Sequence, residues 1–402
     1  MLDFIPISIL GIFCEFLYGH DIISLLSLFN NRNLQNIISK LKLSVKKITD
    51  SEIEIISKWM NLKHLKITPA RYLENAKYIS LLTNLQHLDL KNIYNFDQSK
   101  LKSLSHLTYL ASKTSFISKS NTLDLINLPD SLQCLSIKSD YITNISFLQT
   151  LKILNSLTLC DILNMEDSKF KNIISTLTNL ISLDLTNNLI CDIRFISSLT
   201  NLKYLNLSHN NIDRNSSQYI KYLTNLEILS LINCVMVENL PLLYRLRKLY
   251  LGCDTLDISI KLEMHDFEMI SNLTSLETLV FYTNINTSLE EIILLTNLKS
   301  LRKLVLVGMD LIDDHLQIFE ILTQLRYLDI STNNHITNNG LKYILNLSNL
   351  EEFIFKNTDH KIDLSDGILS LLVLENLKII NIENNAGITP DTKLLLNNIL
   401  NL

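Results

Sequence analysis

Apolar residues recur along this chain in a six-residue frame, Leu-x-x-Leu-x-Leu. With conservative swaps it begins at Leu62, Leu85, Leu107, Leu132, Leu154, Leu180, Leu202, Leu226, Leu246, Leu276, Leu301, Leu325, Leu350 and Leu377. The spacing averages about 24 residues. Within each frame apolar and polar positions alternate, which predicts a short strand with its leucines turned inward. The clearest copies run from Leu180 to Asn188 and from Leu202 to Asn210. Eight residues past the first leucine stand Asn188, Asn210, Asn284, Asn333 and Asn385, with Cys234, Asp254 and Thr358 in other copies. An amide there can satisfy backbone groups freed where the chain turns away from the strand, so these positions are read as structural. Many strands are preceded by Leu-Thr-Asn-Leu or a close variant, beginning at Leu82, Leu177, Leu199, Leu223 and Leu322, which marks the turn back into the next strand. Return segments such as Asn339 to Leu345 carry apolar residues at helical spacing.

A frame of this composition and period resembles the leucine-rich repeat. The resemblance implies an α/β solenoid, a horseshoe with a parallel sheet on its concave face and helical or irregular segments on its convex side. The return segments resemble the helix-bearing, cysteine-containing class of repeat, and the Leu-Thr-Asn-Leu turns resemble the shorter internalin-type units. The widest interval, from Leu246 to Leu276, holds an acidic insertion (Asp254, Asp257, Glu263, Asp266, Glu268) that is expected to protrude as a loop or longer helix.

A solenoid exposes its core at both ends unless something covers it. Residues 389–402, with Pro390 and Asp391 opening an apolar stretch from Leu394 to Leu400, predict a C-terminal capping helix. Residues 46–388 form the solenoid, and residues 1–45 a helical segment. There a helix follows Pro6 from about Ile7 to Leu17, Gly19 ends it, and Asp21 caps a second one. Pro6, Ile9, Leu10, Ile12, Phe13, Leu17, Leu25 and Leu28 in this arrangement resemble an F-box. That resemblance implies that these eight residues bind a Skp-type adaptor of a cullin–RING ubiquitin ligase while the repeats hold the substrate. The pattern departs from the family where a Trp is expected near a third helix; Phe29 to Arg32 stand there instead. The alternative is a plain N-terminal cap.

Composition narrows the function. The net charge of -5 gives the whole molecule no pull toward nucleic acid or an anionic membrane. Lys far outnumbers Arg and Ala is scarce, a usage that resembles AT-rich giant viruses and intracellular parasites. The six cysteines are too widely spaced for a zinc framework or disulfide cluster, which suits a reducing compartment, and a cytoplasmic monomer is expected. No run is long and apolar enough for a membrane span. Nucleotide-binding, hydrolase and metalloprotease motifs are absent, and His64, His87 and His209 fall on strand positions. No cofactor or metal is expected, and the chain is read as non-enzymatic. Outward strand positions grade from a lysine column (Lys66, Lys91, Lys113, Lys138) to an apolar and aromatic patch of Ile232, Tyr250, Val280, Tyr282, Val305 and Val307. Apolar outward residues over several adjacent repeats conflict with simple alternation, and a protein partner is the usual reason. Two readings remain open: an F-box-type substrate receptor, or a stand-alone binding or regulatory protein whose first helices are only a cap.

Overall fold

The structure, a computed structural model, describes residues 42–45, 49–68, 76–91, 98–113, 128–138, 142, 144–162, 167–212, 214–234, 240–253, 263–282, 287–359 and 362–400. Pro6, Ile9, Leu10, Ile12, Phe13, Leu17, Leu25 and Leu28 lie outside them. Two compact units meet in sequence between Asn188 and Leu189.

Among the described residues the first unit carries seven strands: β1 (Lys42–Val45), β2 (His64–Ile67), β3 (His87–Lys91), β4 (Tyr109–Lys113), β5 (Cys134–Lys138), β6 (Ser156–Cys160) and β7 (Ser182–Asp184). Each pairs in parallel with the next, and the frames align residue for residue, so that Leu43, Leu65, Leu88, Leu110, Leu135, Leu157 and Leu183 form one buried row. β1 lies inside the stretch expected to be helical. Leu43 and Val45 are buried against β2, so the sheet begins one strand before the first complete frame. Short 3-10 turns, such as Ala76–Leu81 and Ser146–Thr150, supply most of the returns.

The described residues of the second unit carry eight: β8 (Tyr204–Asn206), β9 (Ile228–Ser230), β10 (Lys248–Gly252), β11 (Thr278–Tyr282), β12 (Lys303–Val307), β13 (Tyr327–Asp329), β14 (Glu352–Ile354) and β15 (Ile379–Asn381). Pairing is again parallel and consecutive. Returns here change from 3-10 turns to α-helices, including Met264–Ser271, Leu289–Leu294, Asn338–Ile344 and Ser365–Ser370. The longer return also needs more core. Phe267, Phe281, Phe319, Phe353 and Phe355, all in this unit, are the largest fully buried side chains. The helix Pro390–Leu400 closes the sequence of elements.

The insertion between Leu246 and Leu276 is described from Glu263 onward, and this part does not protrude. Phe267 and Ile270 are buried, and Asp266 turns back to accept the Glu263 amide at 2.8 Å as part of a helix-start capping pair.

Two asparagine ladders hold the repeats in register. In the first, at the end of the strands, Asn188 joins Leu159 and Ile162, while Asn210 accepts the Ile190 amide at 2.9 Å and donates to Leu207. Asn333 and Asn385 repeat the arrangement. The residue before the ladder position turns left-handed: Asn187 (φ 57°), His209 (58°), Asn233 (55°), Thr332 (61°), Asn357 (52°) and Asn384 (54°). Asn tolerates that conformation better than most residues, which accounts for the Asn pairs in the frame. His209 therefore sits on a turn rather than on a strand, its Nδ1 2.9 Å from Asn233. Cys234 keeps only a donor, giving its thiol to the Leu207 carbonyl at 3.0 Å, and burial pushes that thiol up to about 11. Thr358 is fully buried with no hydrogen-bond partner on its hydroxyl. The second ladder runs through the Leu-Thr-Asn-Leu turns and their variants. Asn84 donates to Met60, Asn179 to Lys152, Asn225 to Thr200, Asn349 to Thr323 and Asn376 to Ser348, at 2.8–3.1 Å.

One buried histidine adds a pH dependence. His315 is 5% exposed and accepts the Ile312 amide on Nδ1 at 3.0 Å, an arrangement that needs a neutral ring. Burial lowers its pKa from the usual 6.5, against the opposing pull of Asp314 and Asp310. The unfolded chain therefore takes up the proton first. This contribution is present above about pH 6.5 and is lost as pH falls toward the folded value. Thermal unfolding of the parent chain should shift down between pH 7.5 and pH 5.5 by more than that of His315→Gln.

Candidate interaction face

Side chains that point away from the core occupy alternate strand positions, so in-register stacking lines them up into rows across each unit. In the second unit the row between the two inward leucines reads Ser230, Tyr250, Val280, Val305 and Asp329. The row before it reads Ile228, Lys248, Thr278, Lys303, Tyr327 and Glu352, and the row after it includes Gly252, Tyr282 and Val307. Tyr250, Val280, Tyr282, Val305 and Val307 are thus brought together over three adjacent strands. Ile232 lies just beyond β9, half-buried, its amide donating to the Ser208 hydroxyl at 3.2 Å.

Exposure separates these residues in a way that alternation alone does not anticipate. Tyr250, Tyr282 and Val307 are half-buried, but Val280 and Val305 are each only 2% exposed. On one strand face Val280 lies between Thr278 and Tyr282, and Val305 between Lys303 and Val307. Side chains this short sink beneath longer neighbours. The valines therefore form the floor of the patch, and the tyrosines stand above them. Tyr327 belongs with them and is absent from the sequence-derived set. Lys303 places its ammonium 3.8 Å from the Tyr327 ring centroid, a cation–π contact. Burial, then Asp329, Tyr282 and Glu352, pushes the Tyr327 hydroxyl up to about 12. Burial also raises Tyr250. Both of these phenols remain protonated donors at neutral pH. The signal that could have found Tyr327 was its position, two residues past Leu325, the same offset as Lys303.

The first unit presents a different face. The lysine column divides: Lys66 reaches Asp89 only at 3.9 Å, whereas Lys138 pairs with Asp161 at 3.0 Å, which raises the lysine. The backbones of Lys91 and Lys113 are adjacent in the register. Beside this column His64, His87 and Tyr109 stack ring on ring.

Chemistry of other kinds finds little support. Among the described residues, no group of three His, Cys, Asp or Glu is arranged to hold a metal ion. Cys160 lies against Asp184, and its thiol is pushed up to about 12 by burial and then by that carboxylate, the reverse of what a nucleophile needs. Among the described residues no helix is long and apolar enough to cross a membrane.

No protein-family model matches the chain, and no curated protein does. Solved structures do. The chain is similar to the internalin InlF of Listeria monocytogenes, at 20% identity over 91% of this chain and 95% of that one, with a TM-score of 0.51. It is also similar to a leucine-rich-repeat protein of Leptospira interrogans, at 20% identity over 87% and 86% of the two chains, with a TM-score of 0.52. The fold is a leucine-rich-repeat solenoid.

Proposed function

We propose that this chain is a non-enzymatic protein-binding scaffold that holds a partner on the strand face of its second unit. The observation that supports this is the group Tyr250, Tyr282 and Tyr327 standing over the Val280 and Val305 floor. Half-buried aromatic rings with polar tips, placed on rigid strands, are the side chains that dominate interface energies, because they bury much area and lose little conformational freedom. Ile232 and Val307 extend the apolar margin. The experiment is quantitative affinity capture with the full chain and its Tyr250→Ala/Tyr282→Ala variant. Capture should fall by at least about thirtyfold, since one such anchor is worth about 2 kcal/mol or more and neighbouring anchors do not simply add, while Tm changes little. Unchanged capture refutes the assignment, and a large fall in Tm would place the rings in the core instead.

In its finer form the proposal adds a cytoplasmic role as substrate receptor. Pro6, Ile9, Leu10, Ile12, Phe13, Leu17, Leu25 and Leu28 would recruit a Skp-type adaptor, and the support is the F-box-like spacing of these residues. Because β1 belongs to the sheet, the informative deletion stops at residue 41. Loss of adaptor capture with Tm retained is the expected result. If the intact chain captures no adaptor, the first helices are a cap and only the scaffold reading stands.

A further inference from the structure

The first unit holds a second site whose chemistry differs from that of the tyrosine patch. On the outward face of β1 to β4 the register sets Lys42 beside His64, His64 beside His87 and His87 beside Tyr109, with Ser44 beside Lys66 in the neighbouring row. The three rings stack, His64 on His87 at 5.6 Å and 22°, His87 on Tyr109 at 3.9 Å and 6°. Rings stacked from strand to strand stand upright on the sheet and turn their edges outward, where imidazole N–H and phenol O–H groups sit. A cleft of about 540 Å³ opens along this stack, lined by Lys42, Leu43, Ser44, His64, Leu65, Lys66 and His87. Among the described residues its polar side chains are two ammonium groups, two imidazoles and a hydroxyl, with no carboxylate.

Among the described residues the nearby counter-charge is Asp89, one carboxylate against two lysines. It pairs with Lys66 at 3.9 Å, beyond hydrogen-bond distance, and its other oxygen is buried without a hydrogen-bond partner. Both imidazoles are held below their usual pKa. Burial is the first cause for each; Lys42 and Lys63 follow for His64, and His64, Lys42 and Lys66 act on His87 against Asp89. The lysines that add to this effect of burial are the groups that would attract an anion.

We infer that the strand face of β1 to β4 binds an acidic peptide segment of a partner protein, its carboxylate or phosphate groups meeting Lys42, Lys66 and the imidazole edges. A polynucleotide fits less well. It needs an unbroken basic track along its backbone, whereas here Lys138 is already paired with Asp161, and the whole chain is acidic. This site shares no residue with the tyrosine patch, so each can fail without the other.

The test is fluorescence anisotropy on the full chain with four labelled probes: a short oligoglutamate, the same length of phosphoserine-containing peptide, an oligoglutamine and an oligothymidylate. Saturable binding of the acidic peptides is expected, weakening as salt is raised through the range where the screening length falls below about 10 Å. Whichever acidic arm binds more tightly identifies carboxylate or phosphate as the source. Lys42→Gln with Lys66→Gln should weaken binding roughly tenfold, whereas Lys221→Gln on a return segment of the second unit should leave it unchanged. Should the double variant not fold, Lys42→Gln alone, at an exposed position on the first strand, should still weaken binding by roughly threefold. The inference is overturned if no acidic peptide binds, if oligoglutamine binds equally, if the folded lysine variants bind as the parent does, or if oligothymidylate binds more tightly than either peptide.

Discussion

Asn333→Ala should destabilise the second unit by about 3 kcal/mol, the cost of leaving several buried backbone groups without partners. Asn333 is fully buried. Its side-chain oxygen accepts the amides of Met309 and Leu311, both at 3.0 Å, across the boundary to the preceding repeat. Its amide nitrogen donates to Leu306 and Ile330 at 2.8 Å and to Ser331 at 3.2 Å. Alanine removes every one of these contacts and offers no room for several waters to replace them. The loss should appear in hydrogen exchange as faster opening at the Met309 and Leu311 amides, while amides of the first unit keep their protection. Equal acceleration in both units would mean that the ladder acts globally rather than between neighbouring repeats.

A larger effect is expected from Gly252→Val, at more than about 3 kcal/mol. Gly252 ends β10 at φ 97°, a conformation that β-branched side chains strongly resist. Even a Cβ there would lie 1.8 Å from the carbonyl oxygen of Tyr282, the residue paired with it on β11. That oxygen also accepts the Cys253 amide. Strand separation is the only relief, and it would pull Tyr282 away from Tyr250. Urea unfolding followed by tyrosine fluorescence should show the second unit opening at lower denaturant. A Gly252→Ala variant as stable as the parent would contradict the close approach.

Much of this architecture was legible in the leucines. A frame repeated at near-constant spacing dictates parallel strands, and aligning the frames yields the register and the first asparagine ladder. β1 escaped because Leu43, Ser44 and Val45 show only half a frame. The second ladder escaped because Asn84 and its counterparts read simply as turn residues, and a bond to a carbonyl about 24 residues earlier leaves no trace in local pattern. The patch was legible as a set of positions but not as a surface. Alternation puts Val280 and Val305 on the same strand face as Tyr282 and Val307, yet exposure depends on the length of the side chains beside them, which a two-state pattern ignores. The ring stack of His64, His87 and Tyr109 needed three frames read at one offset at once; taken singly, each is an ordinary solvated strand residue.

Hydroxyl-radical footprinting of the full chain, alone and with its captured protein partner, tests the central proposal most directly. If the strand face of the second unit holds the partner, Tyr250, Tyr282 and Tyr327 should lose reactivity on binding. Tyr222 and Tyr244, which are exposed on return segments of the same unit, should keep theirs. Protection of Tyr222 and Tyr244 with Tyr250, Tyr282 and Tyr327 unchanged would contradict the proposal and move the interface to the return side.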